Sequence, residues 1–129
     1  MPVETILVVE DEALIALHIT EILEKTGYRV AGPHFSGETV LEYLKTAPLP
    51  DLILMDIAPA GKLDGIEVAR EIARNFLVPI IFVTAHSPNV IHERMRERVP
   101  DGVIVKPFLD DDLLTTIGKI LGSPKNHYN

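Results

Sequence analysis

Five short strand-like runs recur along the 129-residue chain, each followed by a polar turn and a segment with helical spacing. The runs are Thr5 to Val9, Tyr28 to Ala31, Leu52 to Met55, Pro79 to Val83 and Val103 to Val105. Thr5-Ile6-Leu7-Val8-Val9 is apolar and rich in β-formers. Leu52-Ile53-Leu54-Met55 shows no polar alternation, which suits a central parallel strand covered on both faces. Asp56 is then the first residue pushed out at the carboxyl end of that strand.

The intervening segments predict five helices. The first runs from about Glu12 to Lys25, with Leu14, Ile15, Ile19, Ile22 and Leu23 spaced for a buried stripe, and Gly27 is its stop signal. Gly32-Pro33 breaks the second strand. Ser36 can cap a helix from Gly37 to Lys45 with Val40, Leu41 and Leu44 inward. The third helix spans Asp64 to about Phe76, with Ile66, Ala69, Ile72, Ala73 and Phe76 on one face. Ser87-Pro88 reads as a cap followed by proline at the first helical position. The helix it opens, to about Arg98, carries few apolar residues among its charges and so is the weakest. The fifth helix, Asp110 to Leu121, begins with acids that suit its dipole.

Strands alternating with helices five times imply an α/β fold, a doubly wound parallel sheet with right-handed crossovers and helices on both faces. No repeat or linker divides the chain, so residues 1–122 are expected to form one domain and 123–129 a disordered tail. A net charge of −7 argues against a nucleic-acid surface, which needs a basic face. There are no cysteines, hence no disulfide or thiolate-metal scaffold. No apolar run approaches the roughly 20 residues of a membrane span, and Glu4 sits where a signal peptide would need its apolar segment. A cytoplasmic protein is expected.

Four of the five strand ends carry a possible reagent: Glu10 and Asp11, then Asp56, Thr84 and Lys106. In a parallel sheet those ends lie along one edge, where open α/β sheets bind ligands. Neighbouring carboxylates repel, and a hard divalent cation relieves that repulsion. Threonine and lysine beside them could hold the oxygens of a phosphoryl group, with a carboxylate as nucleophile. Taken singly, each residue has a plainer explanation. Asp56 or the acidic pair could cap a helix, Thr84 could be a turn residue, and Lys106 could be a solvated surface lysine. Their joint placement at one sheet edge is what argues for chemistry. His18, His34, His92 and His127 are scattered without a metal-ligand pattern. Arg94, Arg96 and Arg98 interleave with Glu93 and Glu97, which usually means a solvated helix face.

Val8-Val9-Glu10-Asp11-Glu12, Leu54-Met55-Asp56-Ile57, Asp64-Gly65-Ile66, Val83-Thr84-Ala85 and Val105-Lys106-Pro107-Phe108 resemble, as an ordered set, the receiver domains of two-component response regulators. The resemblance covers residues 4 to 121. It implies the flavodoxin-like strand order 2-1-3-4-5. It implies that Asp56 is the phosphoacceptor. It further implies Mg²⁺ held by Asp11, Asp56 and the Ala58 carbonyl, with Glu10 helping through water. Thr84 would engage the phosphoryl group and Lys106 would pair with it, beside a cis Lys106–Pro107 bond. Ala58 and His86 occupy the positions that flank the hydrolytic water in this family. The partners implied are a histidine kinase or phosphotransfer protein upstream and a protein target downstream. One position departs from the pattern: Val103 stands where the family usually carries Tyr or Phe. A small aspartyl-phosphate phosphatase is the competing reading, and Ala58, where such an enzyme wants a second acid, counts against it. A nucleotide-binding fold is disfavoured because Glu10-Asp11-Glu12 would repel phosphate where a glycine-rich loop should sit. A docking module without phosphorylation is disfavoured by the complete Asp, Thr and Lys set.

Overall fold

In the computed structural model, five parallel strands alternate with five helices, and the sheet order is β2-β1-β3-β4-β5. The structure describes residues 3–56, 65–85, 87–95 and 100–122. The strands are β1 (Thr5–Val9), β2 (Arg29–His34), β3 (Leu52–Asp56), β4 (Ile80–Thr84) and β5 (Gly102–Val105). The helices are α1 (Ala13–Thr26), α2 (Gly37–Thr46), α3 (Gly65–Asn75), α4 (Pro88–Arg94) and α5 (Asp110–Leu121). The expected tail 123–129, the Asp64 start of α3 and the extension of α4 through Arg96 and Arg98 lie outside the described residues.

Period-two alternation sorts the core into two layers. Leu7, Val9, Ile53, Met55, Ile80 and Phe82 face Val40 and Leu44 of α2, Ile66, Ala69 and Ile72 of α3, and Ile91 of α4. Ile6, Val8, Leu52, Leu54, Ile81, Val83 and Ile104 face Ile19, Ile22 and Leu23 of α1 and Leu113 and Ile117 of α5. The central strands β3 and β4 are buried at every position, as their unbroken apolar runs require. α4 is held by Ile91 and by Met95 just after it, both buried in the first layer.

At the amino edge of the sheet two aspartates repeat one device. Asp51 accepts from the Thr5 amide at 2.7 Å while its own amide donates to the Thr5 carbonyl at 2.8 Å. Asp101 accepts from the Ile80 amide at 2.8 Å and its amide donates to the Ile80 carbonyl at 3.2 Å. Each carboxylate thereby satisfies the first amide of a strand whose neighbour starts one residue later.

Three expectations need correction. Leu14 does not belong to the buried stripe of α1: it is 82% exposed, and Ala16 is buried with Ile19, Ile22 and Leu23. At about 100° per residue, Leu14 lies roughly 140° around the helix from Ile19. β2 does not stop at Ala31 but continues through a cis Gly32–Pro33 bond to His34. The strand absorbs the pair as an irregularity of register between Leu7 and Val9, with Gly32 at φ +93°, where a Cβ would come 2.8 Å from the His34 amide. Asp56 and Thr84 are the last residues of their strands rather than the first beyond them. The Ser36 cap is present, its hydroxyl accepting from the Thr39 amide.

Candidate functional site

The carboxyl edge of the sheet gathers the polar residues that the strands would otherwise exclude. Glu10 and Thr84 are 1% exposed and Asp56 is 7% exposed. Strand parity decides which of them meet. Glu10 continues the series Ile6 and Val8, Asp56 continues Leu52 and Leu54, and Lys106 follows Ile104, so all three belong to the face covered by α1 and α5. Thr84 continues Ile80 and Phe82 and belongs to the opposite face. The β1–β3 and β3–β4 registers bring these strand ends level, with Val9 beside Met55 and Asp56 beside Val83.

Lys106 is the hub of the group. Its Nζ lies 3.2 Å from Glu10 Oε1, 3.5 Å from Asp56 Oδ1 and 3.8 Å from Glu12 Oε1. Its amide donates to the Thr84 carbonyl at 2.7 Å, and the following Lys106–Pro107 bond is cis. Burial alone would lower the pKa of this lysine, but the charges of Asp56 and Glu10 outweigh it and hold the ammonium above its ordinary value. Glu10 is pushed up to about 7, first by burial and then by the charge of Asp56, against the opposing pull of the Glu12 amide and Lys106. That amide donates to Glu10 Oε2 at 3.2 Å.

Glu10, Asp11 and Asp56 each offer a carboxylate oxygen, all within 4.8 Å of one another. Asp11 is exposed, so the cluster opens to water on one side. Among the described residues Lys106 is the ammonium in contact with these carboxylates, and burial together with the charge of Asp56 raises Glu10. An oxygen-only, partly exposed, electron-rich site of this kind fits a hard divalent cation of the magnesium class. Ala58 and His86 lie outside the described residues.

Glu12 is the residue whose contact the sequence did not reveal. Its place in the run Glu10-Asp11-Glu12 was the only signal, and nothing in the run says that its carboxylate turns toward a lysine distant in sequence. Leu14, Ile15 and His18 of α1, with Pro107 and Phe108, line an apolar recess beside Lys106. His18 Nε2 contacts Asp110 Oδ1 at 3.1 Å and so ties α1 to α5.

An α/β sheet of order 2-1-3-4-5 with an acidic pair, a buried strand-end aspartate, a threonine and a lysine at one edge is the arrangement that the receiver-domain resemblance implies. The sequence profile of the response regulator receiver domain matches residues 6–118. The chain belongs to the response regulator receiver domain family of two-component systems. It is 38% identical over 112 residues to the transcriptional regulatory protein PdtaR of Mycobacterium tuberculosis, covering 87% of this chain and 54% of that protein. It is 40% identical over 113 residues to the transcriptional regulatory protein DltR of Streptococcus agalactiae, covering 87% of this chain and 49% of that protein. The phyllosphere-induced regulator PhyR of Methylorubrum extorquens is 30% identical over 116 residues, which is 90% of this chain and 43% of that protein. The chain thus spans about half the length of the curated relatives it matches. Among solved structures, the N-terminal domain of a response regulator/sensory box/GGDEF three-domain protein from Carboxydothermus hydrogenoformans superposes with a TM-score of 0.82 at 34% identity, covering 92% of this chain and 94% of that one. The receiver domain of a modulated diguanylate cyclase from Desulfovibrio desulfuricans G20 gives 0.82 at 32% identity over 93% and 94% of the two chains. Among the described residues, no helix is long and apolar enough to cross a membrane.

Proposed function

We propose that this chain is a phosphorylatable receiver, spanning residues 1–122, that accepts a phosphoryl group on Asp56 from a histidine kinase or phosphotransfer protein. The observation that carries this reading is the setting of Asp56. It is a nearly buried carboxylate at a strand end, 3.5 Å from an ammonium and within reach of two further carboxylates that fit a divalent cation. A carboxylate in that setting is a nucleophile whose attack is limited by charge repulsion rather than by proton transfer.

In the reaction, an Asp56 carboxylate oxygen forms a bond to phosphorus as the P–N bond of a donor phosphohistidine breaks, and the imidazole departs with the electron pair. Asp11 and Asp56, with the Ala58 carbonyl and, through water, Glu10 as the receiver resemblance implies, would hold Mg²⁺, which would supply positive charge to neutralise the phosphoryl oxygens. Lys106 pairs with a phosphoryl oxygen, and its ammonium is already drawn toward Asp56 before the group arrives. Thr84, at the end of the next strand, would engage the phosphoryl group through its hydroxyl. The product, an acyl phosphate, carries more charge and more acceptor oxygens than the carboxylate it replaces, which biases the surrounding loops. Output is by contact with a protein target, and the setting is the cytoplasm.

The test is incubation with Mg²⁺ and a small phosphodonor such as acetyl phosphate, read by intact mass. One acid-stable, base-labile phosphoryl group is expected on the wild type and none on Asp56→Asn. Modification of Asp56→Asn at the wild-type rate would overturn the assignment.

A further inference from the structure

We propose that Glu12 is a positioning residue that receives Lys106 when a divalent cation enters the site. The inference deepens the proposed function and rests on the metal site described there. Lys106 now neutralises Glu10 and Asp56, at 3.2 and 3.5 Å. Those two carboxylates also belong to the cluster that fits the cation. Ammonium and metal therefore compete for the same oxygens, and a double positive charge among them repels the lysine. Glu12 is the third carboxylate in contact with Lys106, at 3.8 Å, and it stands outside the metal cluster.

The local structure leaves Glu12 suited to that task. It is the N-cap of α1, with an extended backbone at φ −90° and ψ 111°, yet its side chain makes no capping hydrogen bond to its own helix. A capping carboxylate would be spent on the helix amides, whereas this one is turned toward Lys106. The backbone of Glu12 is fixed at both ends. Its amide donates to Glu10 Oε2 at 3.2 Å and its carbonyl accepts from the Ala16 amide at 2.9 Å. The side chain is 64% exposed against 18% for Lys106, so the pair lies at the mouth of the site. A lysine that swings from Glu10 and Asp56 to Glu12 stays within reach of the pocket while vacating the oxygens the metal needs. It can then return to a phosphoryl group once one forms.

The experiment is Mg²⁺ titration of the unphosphorylated protein, followed by the ¹³Cε resonance of Lys106 and by calorimetry. Four proteins are compared: wild type, Glu12→Gln, Lys106→Met and the double variant. In the wild type, Mg²⁺ should shift the Lys106 resonance as the ammonium changes partners. Glu12→Gln should bind Mg²⁺ roughly two- to fivefold more weakly, the scale of an exposed ion pair. In the Lys106→Met background the same change should have no further effect, because there is no lysine to receive. Equal affinity of Glu12→Gln and wild type overturns the proposal. So does an equal loss in both backgrounds, which would make Glu12 a source of general negative charge. Absence of Mg²⁺ binding in wild type and Lys106→Met alike would instead sink the metal site itself.

Discussion

The backbone amide of Lys106 donates to the carbonyl of Thr84 at 2.7 Å. This bond joins the ends of β4 and β5 at the point where one strand delivers a hydroxyl and the other an ammonium. Strand parity sends the two side chains toward opposite faces of the sheet. Replacing Lys106 by Met keeps the amide, and with it this strand pairing, but removes the cation from Glu10 and Asp56. We expect Lys106→Met to lose about 1–3 kcal/mol of stability at pH 8 without Mg²⁺, the cost of leaving a buried charged partner uncompensated. Mg²⁺ should restore most of that loss, and its affinity should rise because its competitor is gone. Urea unfolding with and without Mg²⁺ checks both statements, and a stability deficit that Mg²⁺ fails to reduce would count against them.

Glu10 makes stability depend on pH in a stated direction. Its pKa is pushed from 4.5 to about 7 by burial and by the charge of Asp56. The folded state therefore favours the protonated acid. The stabilisation from that proton is fully present below pH 4.5, shrinks as pH rises through 7, and is absent above it. Without Mg²⁺ the contribution of this group should fall between those limits by up to a few kcal/mol. Glu10→Gln should flatten that part of the curve and raise stability at pH 8, while Mg²⁺ should flatten it in the wild type by stabilising the ionised form. Denaturation midpoints from pH 5 to 8 provide the measurement. A wild-type curve that is identical to that of Glu10→Gln would show that the buried acid does not titrate in this window.

Asp101 predicts a loss of stability that leaves the chemistry untouched. Its carboxylate satisfies the part-buried amide of Ile80 at the amino edge of the sheet, away from Asp56. Asp101→Ala should cost about 1–3 kcal/mol by orphaning that amide, and Asp101→Asn, which keeps an acceptor, should cost less. Phosphorylation of Asp56 under native conditions should proceed at the wild-type rate in both. Denaturant midpoints together with the phosphorylation assay decide the matter. A strong effect on phosphorylation without a change in stability would contradict the separation of the two sheet edges.

The alternation of strands and helices, and the polar residue at the end of four of the five runs, lie in the local sequence. Hydrophobic period and run length are properties of neighbouring residues, so Asp56, Thr84, Lys106, Glu10 and Asp11 could be singled out before any fold was known. The parallel, doubly wound architecture follows from the same alternation, because parallel strands need crossovers and helices supply them. Tertiary structure decided what depends on register and on distant partners. Leu14 was grouped with the buried stripe as an apolar residue of α1, yet at about 100° per residue it lies roughly 140° from Ile19, and the structure leaves it exposed. Gly32-Pro33 looked like a break, but the edge strand carries the pair by shifting register against β1. The division of the site into a face with Glu10, Asp56 and Lys106 and a face with Thr84 comes from strand parity fixed by pairing across the sheet. The contact of Glu12 with Lys106 spans most of the chain. No local pattern encodes it, because an ion pair between an N-cap and a distant loop exists only once β1, β3, β4 and β5 have been laid side by side.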